Sequence, residues 1–203
     1  MNILNELSKL RKNISINKVY HTDRLILKVL KTHQAQEVLD YYLRNKDFLH
    51  NWEPERGRRF YTYEYQQELL KEEYHEIKDK SKLRLWIYKK EDEERTIGSI
   101  CFSNIIYGNF LSCFLGYKLD KEEINKGYTT EAVKKGVSIM FEEYKLHRVE
   151  ANIIPENTAS IKVVEKAGFE KEGYSKRYLN INGKWKDHIH FAIYNDELNM
   201  SNN

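Results

Sequence analysis

Thiols are scarce in this chain of 203 residues: Cys101 and Cys113 are the only cysteines. Two cannot make a disulfide framework, and their spacing is not that of metal ligands, so a reduced, cytoplasmic setting with both as small buried residues is expected. Of the seven histidines only His188 and His190 alternate on one strand face, and no third ligand accompanies them, so no metal is expected. No apolar run approaches the roughly 18 residues of a membrane-spanning helix. The opening MNILNELSKLRKNI has neither a continuous apolar stretch nor a small-residue cleavage site, which argues against a signal peptide. Charge of one sign is missing too. The 34 Lys and Arg face 31 Asp and Glu, net +3, a balance that gives no signal for DNA or a membrane surface. There are no repeats, low-complexity segments or linkers, and the length suits one domain.

What the chain has in quantity is aromatic residues, with 15 Tyr and 8 Phe, enough to exclude global disorder. Ile3, Leu4, Leu7, Leu10 and Ile14 recur at helical spacing, which predicts an amphipathic helix over about the first 14 residues, packed on the domain or docked on a membrane or ribosome. RLILKVL (24–30) reads as a strand and AQEVLDYYL (35–43) as a helix. NKDFLHNWEPERGRRF (45–60) reads as a loop marked by Pro54 and Gly57. TYEYQQELLKEEYHEIKDK (62–80) is a charged helix. LRLWIYKK, RTIGSICFSNIIY and NFLSCFLGYKL, separated by EDEER and YGN, read as an antiparallel meander. Ala132, Val133, Gly136, Val137, Met140, Phe141 and Tyr144 make one helical stripe. HRVEANII is then a strand, and PENTASIKVVEKAGF a helix capped by Asn157 or Thr158 and stopped at Gly168. A final hairpin turns at INGK. The order predicts an α+β fold with a mixed sheet.

The stretch INKGYTT (124–130) holds the most chemistry. A helix start leaves about four N–H groups unpaired and carries roughly half a positive charge, which suits a phosphate. Gly127 permits a positive φ or close approach, Thr129 and Thr130 add hydroxyls, and Lys126 adds charge. Glu131 complements the helix dipole but would repel an anion on the same side. An ordinary capped helix fits the same residues, and the pattern is not a P-loop. A second strand-to-helix junction follows, with Asn157 and Ser160 at its helix start. Two such units in succession suit a long, phosphate-bearing cofactor.

With DRLILKVL, NWEP, FLGYKLDKEEINKGYTTEAV, HRVEANIIPENTASIKVVEKAGF and INGKWKDHIHFAI in this order, the chain resembles the GNAT acetyltransferases. Within them it is similar to the Rim-type branch that acetylates the N-terminal alanine or serine of ribosomal proteins. The resemblance runs from about Val19 to Asn195. It implies the GNAT acyl-CoA N-acyltransferase fold over 19–195, a mixed central sheet with helices on both faces, a helical extension at 1–18 and a flexible tail at 196–203. The family's pyrophosphate loop (Gln or Arg, two residues, Gly, one residue, Gly or Ala) falls on Ile124 to Thr129, with only Gly127 matching strictly. The resemblance further implies that acetyl-CoA sits with its pyrophosphate over Asn125, Lys126, Gly127, Tyr128, Thr129 and Thr130. Its pantetheine arm would lie along the backbone of Tyr117, Lys118 and Leu119, near Asn157.

The family reaction is direct attack of a neutral amine on the thioester. It requires a base, an oxyanion stabiliser and a proton for the thiolate. Glu150 is the candidate base, its plain alternative being an ion pair with Arg148 or a lysine. Ser160 is the candidate hydrogen-bond donor, with Tyr174 and Tyr178 as rivals. Trp52 is the candidate substrate-mouth aromatic, and Arg56, Arg58 and Arg59 form a small basic cluster read as solvated surface. The expected acceptor is a protein or peptide amine, a ribosomal protein first. The rivals are a small amine such as a polyamine or an aminoglycoside, and a non-catalytic RNA- or ribosome-binding module built on KRYLNINGKWK. Monomer and homodimer both fit.

Overall fold

A computed structural model describes residues 16–50 and 52–200. The helix expected over the first 14 or so residues lies outside them. In chain order the elements are β1 (Val19–His21), β2 (Leu25–Lys28), α1 (Ala35–Leu49), α2 (Tyr63–Lys78), β3 (Leu83–Lys89), β4 (Asp92–Ile106), β5 (Ser112–Leu119), α3 (Tyr128–Glu142), β6 (Arg148–Ile153), α4 (Thr158–Ala167), β7 (Glu170–Ile181), β8 (Lys184–Tyr194) and the one-turn α5 (Glu197–Met200). The strands form one sheet in the order β1-β2-β3-β4-β5-β6-β8-β7, antiparallel except for the parallel β5–β6 pair. The mixed sheet and the meander are as the sequence predicts.

Directly paired residues share a face of a sheet, so the register assigns the two layers. Leu85, Ile100 and Tyr117 stand in one row, and Val149, Ala151 and Ile153 share their side, packed in one core with Val133, Met140 and Val164 of α3 and α4. The other face carries Trp86 and Tyr88, which pack with Ala35, Val38, Tyr41 and Tyr42 of α1 and Leu70 of α2. Tyr41, Tyr42 and Trp86 meet edge to face at 5.4–6.2 Å, the arrangement ring quadrupoles favour. Gly136 lets α3 sit down on β4: a Cβ there would lie 2.6 Å from Ile100 and 2.7 Å from Phe102.

Three boundaries differ from the sequence reading. The segment read as a loop from Asn45 is helical to Leu49, because buried Asn45 donates to the Tyr41 carbonyl and uses its own oxygen to accept the Lys121 N–H. EDEER is mostly strand: β4 begins at Asp92, and irregular pairing around Tyr88 absorbs the mismatch. The YGN turn is wider, running from Tyr107 to Leu111 and leaving Phe110 exposed. The terminal hairpin turns on Asn182 and Gly183, both at positive φ (52° and 77°), as a two-residue type I′ turn demands. Among the described residues no helix is long and apolar enough to cross a membrane, and no group of three or more His, Cys, Asp or Glu is placed to hold a metal.

Candidate active site

The sheet is split at its centre. β5 and β6 pair at Ser112–Arg148, Cys113–Val149 and Phe114–Glu150, and beyond that point their pairing stops while β5 stays paired to β4 up to Leu119. The Asp120 N–H still bonds the Ile97 carbonyl on the β4 side. Backbone groups alternate along a strand, so those of Tyr117 and Leu119 face the gap instead. That is a half-finished parallel ladder, open to an extended chain lying between the strands.

The turn that follows lies at the mouth of this gap. Every backbone N–H from Ile124 to Thr130 lacks a protein acceptor among the described residues. The first intrahelical bond is Glu131 N–H to the Gly127 carbonyl. Gly127 is the N-cap, at φ 83°, so the chain enters α3 through the left-handed region and its donors point outward. Glu131 does not oppose an anion here. Its carboxylate is turned to the β1–β2 connection, taking Thr22 Oγ1 at 2.6 Å, the Arg24 N–H at 2.9 Å and Arg24 Nε at 2.7 Å. Burial raises its pKa, but these bonds outweigh that and hold it below the usual range. Arg24 also donates to the Lys126 carbonyl at 2.9 Å and lies over the Tyr128 ring at 4.6 Å, so the β1–β2 connection braces the turn. The Lys126 ammonium is held by Glu123 at 2.9 Å rather than free. Ile124, Asn125, Lys126 and Gly127 are exposed, and Tyr128, Thr129 and Thr130 half-buried.

Asp120 anchors the near end of the turn. Fully buried, it takes Arg44 at 2.6 Å, Arg95 at 3.1 Å and the Glu122 N–H at 3.0 Å. Burial works against its charge, yet the Glu122 N–H and the two guanidinia prevail and hold its pKa at about 2. Asp120→Asn is expected to cost about 2 kcal/mol, below the roughly 3–5 kcal/mol of a fully buried broken pair because both arginines reach solvent. A lowered carboxyl pKa gives stability that is complete above its unfolded value near ~4 and lost as pH falls toward about 2. Urea unfolding of wild type and variant should therefore differ at pH 7 and converge toward pH 2.

The two expected catalytic residues lie on opposite faces of the sheet. Ser160 is in the first turn of α4, on the α3–α4 side. Asn157 is the N-cap there: its side-chain oxygen accepts the Ser160 N–H at 3.1 Å. The Tyr117 hydroxyl donates to the Ser160 carbonyl at 2.8 Å, which ties β5 to α4 across the gap. The Ser160 hydroxyl has no protein partner among the described residues. Lys162 and Lys166 are exposed. Glu150 lies on the α1–α2 face at the last paired position of the seam. Arg148 holds it at 2.8 Å and also bonds Glu172 and the Tyr194 hydroxyl, so the ion pair foreseen as the plain alternative is present.

Sequence reasoning missed what surrounds Glu150. His190 Nδ1 lies 3.7 Å from its carboxylate and 2.5 Å from Asn152 Oδ1, while Nε2 is 2.8 Å from Ser175 Oγ. The Asn152 amide donates to the Tyr178 hydroxyl at 3.3 Å, and the Tyr178 ring leans on His188 and His190 at 5.2 and 4.9 Å. The alternating His188 and His190 were the one signal, but the β6–β8 pairing that sets His190 beside Asn152 is not local in sequence. Tyr174 is spent differently, its hydroxyl donating to Asp187. On the same face Lys118 meets the Glu53 carboxylate and lies 3.3 Å from the Tyr42 hydroxyl. Trp52, beside Glu53, is exposed at 37%. A cavity of about 240 Å³ opens here, lined by Tyr42, Glu53, Arg56, Phe60 and Tyr61 among others.

A mixed sheet split between two parallel strands, with a bare helix N-terminus at the mouth of the split, is the architecture of an acyl-CoA-dependent transferase. Residues 24–170 match the family described as Acetyltransferase (GNAT) domain, and the chain belongs to that family. It is 36% identical over 174 residues to the [ribosomal protein uS5]-alanine N-acetyltransferase of Escherichia coli K12, covering 85% of this chain and 88% of the relative. It is 36% identical over 173 residues to the probable N-acetyltransferase YjcK of Bacillus subtilis 168, covering 85% and 95%. Among solved structures, the ribosomal-protein-S5-alanine acetyltransferase of Vibrio fischeri superposes with a TM-score of 0.84 at 34% identity, covering 89% of this chain and 98% of that one. RimJ of Mycobacterium smegmatis in complex with CoA-disulfide superposes with 0.79 at 28% identity, covering 86% and 83%.

Proposed function

We propose that this protein transfers the acetyl group of acetyl-CoA to the N-terminal α-amine of a protein, a ribosomal protein first among candidates, and does so in the cytoplasm. The observation that carries the reading is the unpaired run of N–H groups from Ile124 to Thr130 at the mouth of the β5–β6 gap. Backbone donors and a helix dipole bind a pyrophosphate without a cluster of lysines. The inward-facing groups of Tyr117 and Leu119 suit the amides of the pantetheine arm, and Asn157, the N-cap of α4, is the further side chain assigned to it.

Acetyl-CoA, when bound, supplies the thioester. The chain's own residues then work from both sides of the gap. Glu150, on the α1–α2 face, receives the proton of the incoming amine, directly or through water. Ser160, on the α3–α4 face, offers its free hydroxyl to the departing sulfur. A peptide α-amine titrates near ~8, about two units below lysine, so a carboxylate already shared with Arg148 is a sufficient base for it. The relatives at 36% identity are named as N-acetyltransferases, which favours this reading over a non-catalytic RNA-binding module. The mixed charges around the 240 Å³ cavity do not favour a polyamine.

Mass spectrometry of a peptide with a free N-terminal alanine, incubated with protein and acetyl-CoA, tests the activity. Calorimetry of CoA with Gly127→Val tests the site. Valine at φ 83° is strained by about 1–2 kcal/mol and crowds the donors, so CoA affinity should fall about tenfold or more. Unchanged affinity in the folded variant would sink the pyrophosphate assignment.

A further inference from the structure

We propose that Asn152 is a positioning residue that keeps Glu150 free to take a proton, by holding the Nδ1 proton of His190 away from the carboxylate. The inference rests on Glu150 being the base of the transfer reaction.

The two oxygens of Glu150 are used unequally. Arg148 holds Oε2 at 2.8 Å. Oε1 has no hydrogen-bond partner among the described residues, and His190 Nδ1 stands 3.7 Å from it, just outside bonding distance. The charged and titratable groups of this cluster are Arg148 on β6, Glu172 on β7, and Tyr194 and His190 on β8. The Tyr194 proton goes to Glu172, so the His190 ring is the donor in reach of Oε1. The tautomer of that ring follows from its partners. A carboxamide oxygen only accepts, so Nδ1, 2.5 Å from Asn152 Oδ1, carries the ring proton. Nε2 of the neutral ring is then bare and accepts the Ser175 hydroxyl at 2.8 Å. The nitrogen end of the Asn152 amide goes to the Tyr178 hydroxyl at 3.3 Å.

Register decides which oxygen receives the Nδ1 proton. Asn152 and His190 are direct partners across β6 and β8, and such side chains start about 4.5–5.5 Å apart. Glu150 is two residues back along β6, on the diagonal at about 7–8 Å, and is drawn toward Arg148. A carboxylate is nevertheless the stronger acceptor, a charge-assisted bond being roughly twice as strong as a neutral one. Without the amide oxygen of Asn152 the proton would turn to Glu150. A carboxylate that accepts an N–H at its free oxygen is stabilised in its charged form, so it takes a proton from an amine less readily. Asn152 thus acts on the base through His190, from a place beyond the last seam pair, without bonding Glu150 itself.

Two measurements on the full chain test this. In protein labelled with ¹⁵N at histidine, a long-range ¹H–¹⁵N spectrum at pH 8 should show His190 as the Nδ1–H tautomer, its signals assigned by their loss in His190→Phe. Any other form of the ring overturns the proposal, whatever the activity. The second is a double-mutant cycle of Asn152→Leu and His190→Phe, with a peptide bearing a free N-terminal alanine and saturating acetyl-CoA. Leucine keeps the bulk of asparagine and loses the acceptor, and phenylalanine keeps a ring and loses the proton. Asn152→Leu should cut kcat/KM about tenfold near pH 7 when His190 is present, and less than about twofold when Phe replaces it. The tenfold loss should shrink by about pH 9, where the amine is neutral unaided, while KM for acetyl-CoA stays within about twofold. Asn152→Ala, which adds no bulk, should repeat the pattern if leucine disturbs the strand pair. An equal loss in both backgrounds would mean that Asn152 touches the acceptor or props the strand, and overturns the proposal, as does a loss that is the same at every pH. If Glu150→Gln proves as active as wild type, the base reading falls and this inference with it. If Glu150→Gln is impaired and the cycle shows no coupling, this inference alone falls.

Discussion

Glu150→Gln is expected to lower kcat/KM on a peptide α-amine about 100-fold near pH 7 and to regain up to about tenfold of that loss by about pH 9, as an amine titrating near ~8 goes from about a tenth neutral to mostly neutral. A general base contributes roughly 10²–10⁴, and the lower figure applies because Arg148 already neutralises much of this carboxylate. The recovery follows from the acceptor: once the α-amine is itself neutral, a base has little left to remove. The fold should survive, since Arg148 keeps Glu172 and the Tyr194 hydroxyl when Glu150 loses its charge. A pH–rate profile of wild type and variant with saturating acetyl-CoA separates the roles. A loss of equal size at every pH would mean that Glu150 serves Arg148 and not the amine.

Ser160→Ala is expected to cut kcat about 100-fold, keep CoA affinity within a few-fold and leave the melting temperature unchanged or slightly raised. The structure separates these effects. The helix cap depends on Asn157 and the Ser160 N–H, which alanine retains, and alanine is the better helix former. A lost cap would instead cost about 1 kcal/mol of stability. The free hydroxyl is thus available to the reaction alone, and a preorganised donor is worth ~10²–10³ in rate. Turnover within about threefold of wild type would assign the proton elsewhere. Tyr178 would then be the candidate and not Tyr174, because the Tyr174 proton is already given to Asp187, whereas the Tyr178 oxygen accepts from Asn152 and keeps its own.

Much of this was legible because it is local. The α3 stripe, the Asn157 cap, the positive φ at Gly168 and the Asn182–Gly183 turn each rest on a few adjacent residues, and the structure shows them where the sequence predicts them. Helix α1 ran past its expected end because Asn45, polar and so read as loop, is buried and bonded to a residue 76 positions away. β1 escaped notice because three residues carry no periodicity. The site divided along the same line. The bare turn at Gly127 could be read from its own residues. That Glu131 faces Arg24, that Glu150 and Ser160 lie on opposite faces, and that His190 meets Asn152 are matters of strand order and register, which local patterns do not encode.

The seam between β5 and β6 gives the molecule a joint. Three backbone pairs fasten the β1–β5 leaf to the β6–β8 leaf. The Tyr117–Ser160 bond and the bond from the Glu55 N–H to the Asn182 side-chain oxygen are latches on either side. A ligand whose arm lies in the gap would act as mortar between the leaves, bonded to both, so its binding energy becomes cohesion of the sheet. By mass action, a ligand at about 100 times its Kd adds roughly 2.7 kcal/mol to the folded state. The amides of β6 and β8 should then exchange with solvent more slowly when cofactor is plentiful and faster when it is scarce. The enzyme's rigidity would follow the supply of its own substrate.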